Sequence, residues 1–244
     1  MGLTDGQFHH PVALNCVMIS KTEAAKGVVN FLSETFEKNG FVWQPKEQLF
    51  LKKTLQGLLV FDLHFYDRTD MKTGAKGFLV EPYIWIIVNQ TEEVYKKITV
   101  NTFLKKKTDF ITLGNSVADL ETNPDGIYKA RNKSLDLFVF GSKNINYVSF
   151  EILTHFKKTA LPYFEANCSS EAVDFLLNRH PREYCVHMRN DVFRIIKGLI
   201  AAWLTRNPKF EYLIQVYSEI IIDRDMPVNC KEELKNLKDY MKNV

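Results

Sequence analysis

Two apolar runs joined by a polar link constrain this chain more than any other feature. The first is Gly57-Leu-Leu-Val-Phe-Asp-Leu-His-Phe-Tyr-Asp67 and the second is Phe78-Leu-Val-Glu-Pro-Tyr-Ile-Trp-Ile-Ile-Val-Asn89. Both are rich in the aromatic and β-branched residues that suit a pleated, half-buried surface. In the first, Leu59, Phe61, Leu63 and Phe65 share one face, and Leu58, Val60, Asp62, His64 and Tyr66 share the other. That period of two predicts an antiparallel strand with one dry face and one partly wet. In the second, Ile84, Ile86 and Val88 alternate with Tyr83, Trp85 and Ile87, which predicts a strand buried on both faces. The link from Arg68 to Gly77 is polar and glycine-punctuated, so a long hairpin loop is expected.

Around this hairpin the pattern is helical at both ends. Ser20-Lys-Thr-Glu23 is a capping-box signature, followed by Ala25, Val28, Val29, Leu32 and Phe36 at helical spacing and by Gly40 as a stop. Leu49-Phe-Leu-Lys-Lys53 reads as a short strand, and a helix is expected from Thr91 to about Ile98. Between Asn101 and Arg131 the pattern is mixed, with a possible strand at Phe110 to Leu113. Leu135 to Phe140 is a further strand candidate.

From Asn144 onward the period is helical, and Pro162 is expected to kink or end the first of these helices. Ser169 or Ser170 caps the next. Two apolar helices then flank Asn207-Pro208 as an antiparallel pair, and a last helix begins near Asn229. The helix over 191–206 is apolar around much of its circumference, so it must be covered on several sides. The order of elements predicts an α+β fold, with an antiparallel sheet in the N-terminal half packed with an α-helical C-terminal half. The expected division is 1–141 and 142–244, packed together as one unit, with Phe61 and Trp203 both buried.

With 32 basic and 29 acidic residues among 244, the net charge of +3 does not by itself imply a nucleic-acid or membrane partner. Apolar runs such as Tyr83 to Val88 are too short to span a bilayer. Residues 1–19 read as a leader without the pattern of a signal peptide. Cys16, Cys168, Cys185 and Cys230 are scattered, which suits reduced thiols, so a cytoplasmic location is expected.

Several candidate sites follow from side-chain chemistry. Asp62, His64 and Tyr66 share a strand face, where a carboxylate could orient an imidazole for acid–base work. The same row is equally the solvated face of an antiparallel strand. Tyr83 and Trp85 are candidates for a binding face alongside them. His180, Cys185 and His187, near Arg182 and Arg189, match no structural zinc spacing. Lys105-Lys-Lys107 interleaves with Tyr95, Phe103 and Phe110, a weak pattern for nucleic acid. No phosphate loop, dinucleotide fingerprint or nucleophile elbow occurs, and the reading implies neither metal nor cofactor.

Gly40-Phe41 at the end of the first helix, Phe50-Leu-Lys-Lys53 and the hairpin resemble uncharacterised bacterial domains of unknown function with an N-terminal sheet. Thr159-Ala-Leu-Pro-Tyr-Phe-Glu165 and Gly198-Leu-Ile-Ala-Ala-Trp-Leu-Thr-Arg-Asn-Pro208 are similar to their helical portion. The resemblance covers about half of the chain, in pieces. It implies a bacterial cytoplasmic origin and, from suspected immunity proteins in that group, a role in binding another protein. It brings no catalytic residue. The two function classes left open are a non-catalytic, immunity-like binding module and a hydrolase or nucleic-acid-processing enzyme using Asp62 and His64.

Overall fold

In a computed structural model that describes residues 19–71, 74–106, 109–129 and 135–243, the chain opens with helix α1, Lys21–Lys38. The capping box is formed: Ser20 Oγ accepts from the Glu23 amide at 3.2 Å, and the Glu23 carboxylate accepts from the Ser20 amide at 2.9 Å. Val28, Val29, Leu32 and Phe36 form its buried stripe. Gly40 follows with φ of 80°, a left-handed conformation that a side chain would resist. Cys16, Lys107 and the leader before Ile19 lie outside the described residues.

Strands β1 (Val42–Gln44), β2 (Leu49–Lys53), β3 (Gly57–Thr69) and β4 (Lys76–Val88) then form an antiparallel meander. The central hairpin pairs Gly57 with Val88 and remains in register to Thr69 opposite Lys76. The expected long loop is therefore shorter, because both strands extend into it. Helix α2, Asn89–Ile98, leads away from the sheet. The strand expected at Phe110 to Leu113 forms instead as β5, Leu113–Ser116, followed by the unanticipated helix α3, Val117–Thr122. Phe110 turns into a hydrophobic cluster rather than pairing. Of the candidate at Leu135 to Phe140, only β6, Phe138–Val139, is strand, paired to the start of β4.

Helix α4, Ser142–His155, passes through a π turn, Phe156–Ala160, into α5, Leu161–Ala166. Pro162 thus neither ends the helix nor stands in a regular α-helical interior. It sits in the first turn of α5, where the wider turn before it accommodates the missing N–H. Helices α6 (Ser170–Asn178), α7 (Asp191–Leu204), α8 (Phe210–Asp223) and α9 (Val228–Lys242) complete the chain. Ser169 caps α6 and Asn190 caps α7, as the polar residues before each helix predict. The fold is α+β, an antiparallel sheet followed by helices.

Two large apolar clusters hold the elements together. The first packs Leu59, Phe61, Leu63 and Phe65 of β3 against α1 and against Val148, Ile152, Phe156 and Phe164. At its centre the rings of Phe36 and Phe156 stack at 3.9 Å, and Phe61 meets Phe36 at 5.1 Å. The second joins α2 to α7, α8 and α9 through Tyr95, Ile196, Leu199, Ile200, Tyr217 and Leu237. Helix α7 is covered on several sides, as its composition requires. Trp203 is an exception to the expected burial: it lies half-exposed, edge-on to Tyr240 at 5.9 Å. Gly198 lets α6 approach, since a Cβ there would stand 2.6 Å from Asn178 Oδ1.

Candidate functional site

Leu58, Val60, Asp62, His64 and Tyr66 alternate along β3 on the face opposite the first cluster, as the strand period dictates. Register places Ile87, Trp85, Tyr83, Glu81 and Leu79 of β4 directly opposite them, in that order. The first part of this face is apolar and buried, with Leu49, Leu58, Val60 and Ile87 packed together beside Trp85. The second part is polar and half-open. Tyr83 and Trp85 are half-exposed, so β4 is not buried on both faces along its whole length as its composition suggested.

The five candidate residues Asp62, His64, Tyr66, Tyr83 and Trp85 come together as one surface. His64 Nε2 lies 2.8 Å from Asp62 Oδ2, and His64 Nδ1 lies 3.1 Å from the Tyr66 hydroxyl. In the neutral ring, Nε2–H donates to the carboxylate and Nδ1 accepts from the phenol. The Tyr83 hydroxyl donates to Glu81 at 3.0 Å. The rings form a ladder: His64 lies 4.6 Å from Tyr83, and Tyr83 stacks on Trp85 at 5.2 Å with 17° between planes. The His64–Tyr83 contact crosses the strands and Tyr83–Trp85 runs along β4; such ring pairs stabilise a sheet and also fix the rings as a rigid surface.

The hydrogen bond to Asp62 raises the His64 pKa above its ordinary value, against the opposing effect of partial burial. Burial raises that of Tyr83, helped by its hydrogen bonds with Tyr66 and Glu81. The polar groups therefore engage one another. Both imidazole nitrogens face partners on the same strand, which leaves the ring edge with no nitrogen directed at a substrate in this arrangement.

The other candidates do not converge. His187 is buried and its Nδ1 meets the Tyr163 hydroxyl at 3.0 Å. Cys185 Sγ points to the Leu176 carbonyl at 3.6 Å, and Arg182 pairs with Glu219 at 2.6 Å. Arg189 lies over the Tyr128 ring at 4.4 Å. Among the described residues no group of three His, Cys, Asp or Glu side chains is placed to hold a metal. Of the three rings near the lysine run, Tyr95 and Phe110 are buried and Phe103 is exposed, while the Lys105 and Lys106 amides both donate to Asp109. No helix among the described residues is long and apolar enough to cross a membrane.

Sequence reading missed two buried polar hubs. Glu233, fully buried, accepts from the Tyr95 hydroxyl at 3.1 Å, the Asn101 side chain at 2.8 Å and the Val100 amide at 3.3 Å. Glu92 receives Lys197 and Thr112. Their partners lie up to 138 residues away in the chain, so no local spacing announces them. Comparison of the chain with known families, with curated proteins and with solved structures gives no match.

Proposed function

We propose that this protein is a non-catalytic protein-binding module, immunity-like in that its role is to occupy a partner protein. The docking surface is the half-open sheet face carrying Asp62, His64, Tyr66, Tyr83 and Trp85. The observation that supports this reading best is the ring ladder His64–Tyr83–Trp85, in which His64 lies tilted against Tyr83 at 4.6 Å and Tyr83 stacks on Trp85 at 5.2 Å. Half-buried, preorganised aromatic rings suit the anchors that dominate protein interfaces. A bacterial cytoplasmic setting fits the resemblance in the helical segments. A stable complex would bury about 1,200–2,000 Å² in total, more than the ladder alone offers, so the flanking surface takes part.

The competing reading is a hydrolase or nucleic-acid-processing enzyme, drawn from the hydrogen-bond chain Asp62–His64–Tyr66. Against it stands the engagement of both imidazole nitrogens by neighbours.

Affinity capture from a bacterial lysate, run in parallel with the unsubstituted chain and a Tyr83→Ala/Trp85→Ala double variant, tests the binding reading. A stoichiometric protein retained by the first and lost by the second is expected. No such protein, or one held equally by both, overturns the assignment.

A further inference from the structure

Strand β3 is longer than the strand beside it. β2 begins at Leu49, opposite Asp62, whereas β3 continues to Thr69. In an antiparallel ladder a residue sends its N–H and C=O to the same side, alternating along the strand. The Asn89 amide donates to Gln56 on the β4 side, and the Thr54 amide donates to Gly57 on the β2 side. Odd-numbered residues of β3 therefore face the β2 side. Among the described residues no strand pairs Phe65, Asp67 or Thr69 on that side. Gln48, the residue before Leu49, has φ of 57° and turns the chain out of that lane.

The described chain starts at the far end of this same edge. Ile19 packs against the first apolar cluster. It also lines a cavity of about 650 Å³ with Asp67, Arg68, Thr69 and Phe78, among others. Ser20 follows in an extended conformation, φ −73° and ψ 157°. Helix α1 then runs back along β3 as far as Phe36, whose ring meets Phe61 at 5.1 Å. The groove between α1 and the edge, about 500 Å³, has Val29, Leu63 and Phe65 in its apolar wall. Lys21, Lys26 and Glu37 give it no dominant charge. Pro11-Val-Ala-Leu-Asn-Cys-Val-Met-Ile19 contains no charged residue, which suits such a groove.

We propose that residues 14–18 occupy this edge as a strand parallel to β3, beside residues 64–68. The anchor sets the direction: a segment that follows the edge and reaches Ile19 beside Thr69 runs the same way as β3. It also sets the register. Asn15 beside Phe65 and Val17 beside Asp67 bring Ile19 to Thr69, and one cavity holds both. Alternation then turns Asn15 and Val17 toward α1 with Ile19, and sets Leu14 and Cys16 beside the His64 and Tyr66 rings. In this parallel pairing Phe65 and Asp67 exchange main-chain bonds with Leu14, Cys16 and Met18. Tethering selects this occupant over a second copy or a separate partner. Met18 is bonded to an anchored Ile19, so the effective concentration of the segment at the edge is roughly millimolar or above. The inference is independent of the protein-binding reading, whose surface is the aromatic face around Tyr83 and Trp85.

Amide hydrogen exchange and interstrand NOEs of the full chain test it. Exchange at Phe65, Asp67 and Thr69 should be roughly tenfold or more slower in the unsubstituted chain than in Asn15→Pro/Cys16→Pro. The two prolines remove successive donors, so one bond is lost in either register. His64, Tyr66 and Arg68, which face β4, should change little. In the unsubstituted chain, NOEs in parallel order should join residues 14–18 to 64–68. A mixture of isotope-labelled and unlabelled chains should show none of these NOEs between chains.

Edge amides that exchange equally fast in both chains, or equally slowly, overturn the proposal. So do NOEs in antiparallel order, and NOEs between chains, which assign the edge to a second copy. If the double-proline variant does not fold, the NOEs of the unsubstituted chain decide alone, and their absence overturns the assignment.

Discussion

Lys197 of α7 places its Nζ 2.8 Å and 3.0 Å from the two carboxylate oxygens of Glu92 on α2, and both side chains are only 2% exposed. Thr112 donates to the same carboxylate at 2.6 Å and accepts from the Val88 amide at 2.9 Å. The chain of bonds thus runs from the end of β4 into the helical cluster. Burial pushes the Glu92 carboxyl up and the Lys197 ammonium down, while each charge opposes the shift of the other.

Removing one member of this pair should do more harm than removing both. Lys197→Met strands a buried carboxylate and should cost about 3–5 kcal/mol in urea denaturation. The double variant Lys197→Met/Glu92→Leu should recover much of that loss, since the desolvation cost of both charges disappears with them. Equal instability of single and double variants would show that the pair contributes specific geometry beyond charge compensation.

His187 should make the protein acid-sensitive. Burial, with a smaller contribution from the Arg179 charge, holds its pKa down to about 4 from 6.5. A depressed base binds its proton more readily when unfolded, so its stability contribution is full above pH ~6.5 and falls as pH drops through ~4. That shift corresponds to about 3 kcal/mol at most. Denaturation midpoints of the unsubstituted chain and of His187→Gln, taken from pH 7 to pH 4, should converge as the pH falls.

His64 should show the opposite dependence. Its pKa is raised, first by the hydrogen bond to Asp62, so that contribution is complete below pH ~6.5 and is lost as pH rises through the folded value. Solvent screening keeps the effect small, because the side chain is 39% exposed. The melting temperature of His64→Asn should lie further below that of the unsubstituted chain at pH 5.5 than at pH 8.5. A constant gap would mean that the His64–Asp62 bond is insensitive to charge.

Phe61 and Trp203 should separate in cost. Phe61 is fully buried among Phe36 and Phe156, and Phe61→Ala should lose about 3–5 kcal/mol. Trp203, half-exposed, should lose less on truncation because water already reaches part of the ring. Comparable losses in urea denaturation would place Trp203 in a tighter environment than its exposure implies.

The local elements were legible because local rules decide them. Ser20 and Glu23 announce a helix start that forms with both reciprocal bonds, and Leu59 to Phe65 alternate because a pleated strand must. The same alternation brought Asp62, His64 and Tyr66 to one face. The cross-strand register then set Tyr83 beside them, and no spacing within either strand encodes that register. Pro162 does not end its helix because a π turn precedes it, and Trp203 was misread because burial depends on what lies over it. Lys197 is buried in an apolar helix, and Glu92, 105 residues away, makes that burial possible. The pairing of β2 with β3 belongs to this second kind: among the described residues it starts at Leu49 opposite Asp62. Composition and period determined which segments are strands and helices, since those depend on neighbours in the chain. Tertiary structure alone decided which charges are buried and which rings meet, because those depend on groups brought together from distant positions.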